Sequence, residues 1–217
     1  MEKSRRTQYI AIIALVIGVV GLSIGFSAFS SVLQIQSSAT VKPDSSTMNV
    51  DFSSSSTEVL TEKITPTVTG TTATATDATI DNTSAPTISN LSATFTAPGQ
   101  KAVYSFYAYN AGELEAFLKS IVYSNATGGT APKVCTAKSG TTDTLVQNAC
   151  NGISLKVKVG TEAEVSGGKA GITTHSLAKK TSEKVEVTIE YAADADRADG
   201  DFTVSFGDVT LNYSSTD

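Results

Sequence analysis

The sequence predicts an all-β fold, a jelly-roll-like β-sandwich preceded by an N-terminal hydrophobic export helix, and three observations lead to it. Apolar and polar residues alternate with period two in stretch after stretch, the pattern of half-buried strands. Gly, Asn, Pro and Asp separate those stretches, where turns need preset or positive φ. The composition is 40% hydrophobic with no Trp and two Met, and it is rich in Ser, Thr, Ala, Val and Gly, which suits β-branched strands joined by small polar turns.

The chain opens with Lys3, Arg5 and Arg6, followed by an apolar run from Tyr9 to Phe26, about 18 residues long. A basic start, an apolar stretch and then the small residues Ser27, Ala28 and Ser30 form the order of a secretory signal. The run is also near the lower limit of a bilayer span, so a retained signal anchor is the alternative. A buried core helix would need a polar face that this run lacks. Gln8 and Ile10 do not continue a twin-arginine pattern after Arg5-Arg6. Residues 1–27 carry +2 against −5 for the whole chain, so the remainder carries −7. A domain of that sign repels nucleic acid and anionic headgroups, and membrane contact is expected only through residues 9–26.

Beyond the run, residues 32–41 read as extended. Met48, Val50 and Phe52 alternate with Asn49 and Asp51 as a strand. Residues 64–79 are dominated by Thr and Ala and read as weakly held edge strands, with a linker as the alternative. Leu91, Ala93 and Phe95 lead to the turn Ala97-Pro98-Gly99-Gln100. The strand that follows has Tyr104, Phe106 and Ala108 on one face and Val103, Tyr107 and Tyr109 on the other, the pattern of a sheet centre. Asn110-Ala111-Gly112 ends it, and residues 113–123 fit a short helix or a strand equally. Ile153 to Val159 and Val185 to Tyr191 alternate with charged residues, so each predicts a strand with one wet face. Phe202, Val204 and Phe206 share one parity and Val209, Leu211 and Tyr213 the other, which predicts a bulge or kink at Gly207-Asp208.

Few residues could carry chemistry. Cys135 and Cys150 are the only cysteines, and in an exported domain they predict a disulfide. Its closed loop would restrict the unfolded chain by roughly 3 kcal/mol. His175 is the sole histidine, which excludes a His-Glu-x-x-His zinc helix, and no Gly-x-Ser-x-Gly elbow accompanies it. It is expected on the surface. Asp194, Asp196, Asp199 and Asp201 crowd one loop whose spacing does not fit an EF-hand; a solvated turn is the expectation, a Ca²⁺ site the alternative. Asn82, Asn90, Asn125 and Asn212 begin Asn-x-Ser/Thr sequons, which chance supplies readily in a chain this rich in Ser and Thr. No catalytic set, cofactor or metal is expected.

At the junction of run and domain the chain reads Gly25-Phe26-Ser27-Ala28-Phe29-Ser30, followed by an alternating strand. Further on, Ala97-Pro98-Gly99-Gln100-Lys101, an aromatic strand and Asn110-Ala111-Gly112-Glu113-Leu114 follow one another. Both stretches resemble the TasA/camelysin family of bacterial surface and biofilm-matrix proteins, although Gln100 and Ala111 depart from its pattern. The resemblance spans about residues 1–52 and 91–124 and implies cleavage between Ser27 and Ala28. It also implies a jelly-roll domain and, in fibre-forming members, donation of an N-terminal strand to the next subunit. Residues 28–41 are the segment for that role. Camelysins have been classed as metalloproteases, but no zinc motif here matches that activity. The expected function is therefore a secreted structural subunit that self-associates into fibres or matrix. A membrane-anchored monomeric adhesin or binding module is the alternative.

Overall fold

The structure, a computed structural model, describes residues 14–15, 48–123, 133–166, 169–170 and 175–215. The chain divides into two compact units, Met1–Lys42 and Pro43–Asp217. Of the first, Ala14 and Leu15 are described, and they are helical. The rest of the apolar run, the Ser27–Ala28 junction and the 28–41 segment lie outside the described residues. Among the described residues no helix is long and apolar enough to cross a membrane.

The second unit is built from antiparallel strands in two facing layers. In the first layer β1 (Val50–Ser53), β7 (Lys101–Asn110), β14 (Ser182–Tyr191), β10 (Ile153–Val159) and β11 (Val165–Ser166) lie in that order. β2 (Thr67–Thr69) shares the edge of β7 with β1, pairing Lys101 to Val103 while β1 pairs Tyr107 to Asn110. The long aromatic strand is interior but second from the edge, with β14 at the centre, and only its Tyr104, Phe106 and Ala108 face is buried, so the two-sided sheet-centre expectation is corrected. Tyr104 and Phe106 face inward opposite Val187 and Val185.

The second layer contains β3 (Thr74–Ala75), β4 (Thr79–Asp81), β5 (Thr87–Ser89), β6 (Ser92–Phe95), β15 (Phe202–Phe206) and β16 (Val209–Ser214). Its hydrogen bonding divides it into halves, yet the register is continuous. Ser205↔Ser92 continues as Val209↔Ile88, and Ala75↔Ala93 continues as Thr79↔Ser89, with no residue gained on either side. β8 (Ala116–Tyr123) flanks β16, and β9 (Lys133–Ala137) flanks β15. The short β12 (Lys169–Ala170) and β13 (Ser176–Leu177) line the other edge of β8.

One hydrophobic cluster fills the space between the layers. Tyr191 links them, its ring centroid 6.0 Å from Phe95 and 5.6 Å from Phe202. Of the residues 113–123, open between helix and strand, Ala116–Tyr123 form β8. The Thr- and Ala-rich residues 64–79 are ordered as β2, β3, the start of β4 and a bridge from Ile64 to Ala78. The one helix of the described second unit, α1 (Asp143–Asn151), has no counterpart in the sequence reading.

The parity change at Gly207-Asp208 is present, but a single-strand bulge is not its cause. Inward-facing residues are three apart on three adjacent strand lines: Phe206 and Val209 lie level with Leu91 and Ile88, while the partly buried Ala75 and the buried Ala78 lie two residues further along, level with Ala93 and Asn90. All three lines turn over within a few residues of one another, so the register survives and the layer folds along an oblique crease.

Candidate functional site

On its outer side the crease forms a cleft of about 420 Å³. Leu91 and Phe206 border it, but their side chains are buried in the core. Around them stand Lys63, Asp77, Asn90 and Asp208, with hydroxyls from Thr76, Thr79, Ser92 and Ser205. Asn90 takes φ +62, a left-handed conformation that Asn tolerates better than most residues. Its Nδ2 donates to Thr79 Oγ1 at 3.0 Å, and its carbonyl accepts from Thr76 Oγ1 at 3.2 Å.

The cleft wall is fastened from behind. The buried Tyr104 crosses the core from the first layer, and its hydroxyl meets the carbonyls of Thr76 at 3.1 Å and Ser92 at 3.0 Å. The same oxygen accepts from the Ser92 N–H at 3.3 Å. Burial pushes the Tyr104 phenol up to about 12, so it stays protonated.

A second cluster surrounds the histidine. His175 is 8% exposed, which corrects the expectation of a surface residue. Its Nε2 lies 2.6 Å from Glu183 Oε2, and its Nδ1 lies 3.3 Å from Glu162 Oε1. Tyr213 donates to the other oxygen of Glu183 at 3.0 Å. Burial raises the Glu183 carboxyl above its ordinary value, with His175 and Tyr213 opposing the shift. Burial also holds the Tyr213 phenol well above its usual range. The partners come from three separate segments, so no local motif announces the cluster.

Cys135 and Cys150 form the predicted disulfide, with Cα atoms 6.1 Å apart. Such a bond persists in oxidising compartments. It ties the edge strand β9 to α1, and two further contacts reinforce it. Lys133 Nζ donates to the carbonyls of Cys150 at 2.6 Å and Ile153 at 2.7 Å, placing a cation at the helix C-terminus. Gln147 Nε2 donates to the Cys135 carbonyl at 3.4 Å.

The acidic loop meets the other end of this helix. Asp199 accepts from the Thr142 N–H at 2.9 Å and the Thr142 hydroxyl at 2.5 Å, and these bonds hold its carboxyl below the usual range. Asp196 and Asp201 contribute backbone carbonyls, the first to Tyr191 OH and the second to Lys138 N and Thr141 Oγ1. Among the described residues no three His, Cys, Asp or Glu side chains converge as a cation would require.

Besides Asn90, two further sequon side chains have structural work: Asn82 bonds both the N–H and the carbonyl of Phe52, and Asn212 donates to Ser120 Oγ. Asn125 lies outside the described residues. The cleft itself was missed from sequence, although the parity break on its third strand was the available signal. Comparison with protein-family models, with curated proteins and with solved structures gave no match to this chain.

Proposed function

We propose that this chain is an exported structural protein, a β-sandwich subunit of extracellular fibres or matrix that lends residues 28–41 to the edge of a neighbouring subunit. The observation that carries the reading is the outer edge of the β3–β4 line. Both strands are terminal in their sheets, and among the described residues only Ile64 pairs with that edge, at Ala78. Residues 71–76 are all Thr or Ala, so no charge guards the backbone there.

Two other edges are treated differently. Asn82 occupies the Phe52 N–H and carbonyl on β1, and the disulfide-bound α1 covers β9. Natural sandwiches blunt exposed edges, and an edge left plain is suited to receive a strand. A head-to-tail contact of this kind does not close, so it grows a filament. The TasA/camelysin resemblance and the export-type N-terminus favour the same reading.

Electron microscopy of purified protein spanning residues 28–217 tests it. Filaments are expected, and removing residues 28–41 should leave single subunits. Protein that stays monomeric across salt and pH would overturn the fibre reading. N-terminal sequencing of the native protein tests export: a chain starting at Ala28 fits a secreted subunit, and an intact residue 1–27 segment fits the anchored module instead.

A further inference from the structure

We propose that the side chains of the His175 cluster form a proton-operated latch, which keeps β13 paired to β8 and releases it when the cluster loses a proton. The latch joins both layers. Glu183 comes from β14 and Glu162 from the turn after β10 in the first layer. Tyr213 comes from β16 and His175 from the residue before β13 in the second. The His175 carbonyl accepts the Leu118 N–H of β8 at 3.0 Å, and Ser176↔Phe117 and Leu177↔Ala116 continue that pairing. Whatever holds the His175 ring therefore holds this end of β13 on its neighbour. The other end is tied separately, by Asn110 Nδ2 donating to the Leu177 carbonyl at 3.0 Å.

The number of protons the latch needs follows from its contacts. Each ring nitrogen faces a carboxylate oxygen, Nε2 at 2.6 Å from Glu183 and Nδ1 at 3.3 Å from Glu162. A bare ring nitrogen and a bare carboxylate oxygen both present lone pairs, so each contact needs a proton between its atoms. The closed latch holds two protons, as an imidazolium between two carboxylates or as a neutral ring with one carboxylic acid. Loss of one leaves a single N–H facing two carboxylates, and one contact becomes lone pair against lone pair. Tyr213 donates to the other Glu183 oxygen at 3.0 Å and cannot repair it. Burial worsens the loss, because the His175 and Glu183 side chains are 9% and 11% exposed. The rise of the Glu183 carboxyl above its ordinary value agrees with this demand for a proton. Among the described residues the second edge of the eight-residue β8 is covered by β12 and β13, of two residues each. Release of β13 bares backbone on that edge, where another chain can pair.

Amide exchange by NMR on the full chain in detergent micelles tests the latch. It is read between about pH 5 and pH 9, where carboxyl–imidazole clusters exchange protons, and corrected for the intrinsic pH dependence of exchange. Protection of the Leu118 amide should fall about tenfold or more as pH rises, while that of Val187 inside β14 stays constant. His175 is the sole histidine, so its ring signals are read alone, and they should shift with the same midpoint as the Leu118 protection. Glu183→Gln and Glu162→Gln each set against the ring an amide that can donate or accept. One proton then suffices, so each variant should flatten the pH dependence while circular dichroism still reports the folded sandwich. The proposal is overturned if Leu118 protection does not change with pH, or if it falls together with that of Val187. Ring signals that shift at a different pH, or variants that keep the wild-type pH dependence, overturn it equally. The latch needs no fibre, so failure of the fibre reading leaves this result interpretable.

Discussion

Gly160 stands at φ +52 beside the histidine cluster, and a Cβ there would lie 2.5 Å from Glu183 Oε2 and 3.3 Å from His175 Cε1. The absence of a side chain lets the chain close over a carboxylate and an imidazole taken largely out of water. Burial raises the Glu183 carboxyl, so the folded state prefers it protonated more than the unfolded state does. The sign follows. The stability contributed by this group is fully present below the ordinary value of 4.5 and is lost as pH rises through the raised folded value. Glu183→Gln keeps the shape without the ionisation. Wild type should therefore lose stability relative to Glu183→Gln as pH rises from below 4.5 toward neutrality, read from urea midpoints at matched pH. A gap between the two proteins that stays constant with pH would show that this carboxyl is not held above its ordinary range.

At the scale of elements, β9 and α1 depend on each other. β9 pairs with β15 on one edge, and its other edge meets a nine-residue helix, short enough to be marginal alone. The disulfide closes a sequence separation of 15 residues, so replacing both cysteines by serine should cost about 3 kcal/mol in denaturant unfolding. Hydrogen exchange should rise first in Lys133–Ala137 and Asp143–Asn151, and an unchanged exchange pattern would mean that packing alone holds this edge. The same pair marks where sequence reasoning loses its grip. Strands such as β7, β10 and β14 are legible because one face is wet and the other dry over seven to ten residues. In α1 only Val146, Ala149 and Cys150 are buried, and its ends are satisfied by Asp199 and Lys133 from distant segments. β8 was ambiguous for a different reason. Leu118 faces Tyr213 and Ser120 faces Asn212, so three residues of β8 span two of β16 and the alternation slips. The cleft was illegible because it needs parity breaks on three neighbouring strand lines, and a linear sequence does not reveal which strands are neighbours.

Across the whole molecule, the two layers are joined by tyrosines that carry a polar group through an apolar core. Burial raises the phenols of Tyr104, Tyr123, Tyr191 and Tyr213, and Tyr104 reaches about 12. Each of these groups has a folded value above its unfolded one. Their contribution is fully present below 10.0 and is lost as pH rises through the folded values. For Tyr104 the span from 10.0 to about 12 amounts to about 3 kcal/mol, a large part of a domain's net stability. Alkaline titration should therefore unfold the sandwich cooperatively, with phenolate absorbance from the buried tyrosines appearing together with loss of β circular dichroism. Tyr104→Phe separates the two roles of this residue. It leaves the Thr76 carbonyl and the Ser92 N–H without the phenol, so stability near neutrality should fall by about 1–3 kcal/mol. It also removes one ionisation, so its stability should decline less steeply than that of wild type above 10.0, and the two curves should converge. Curves that remain parallel through the alkaline range would show that Tyr104 does not ionise with unfolding. The cross-layer bond would then not be what holds the crease.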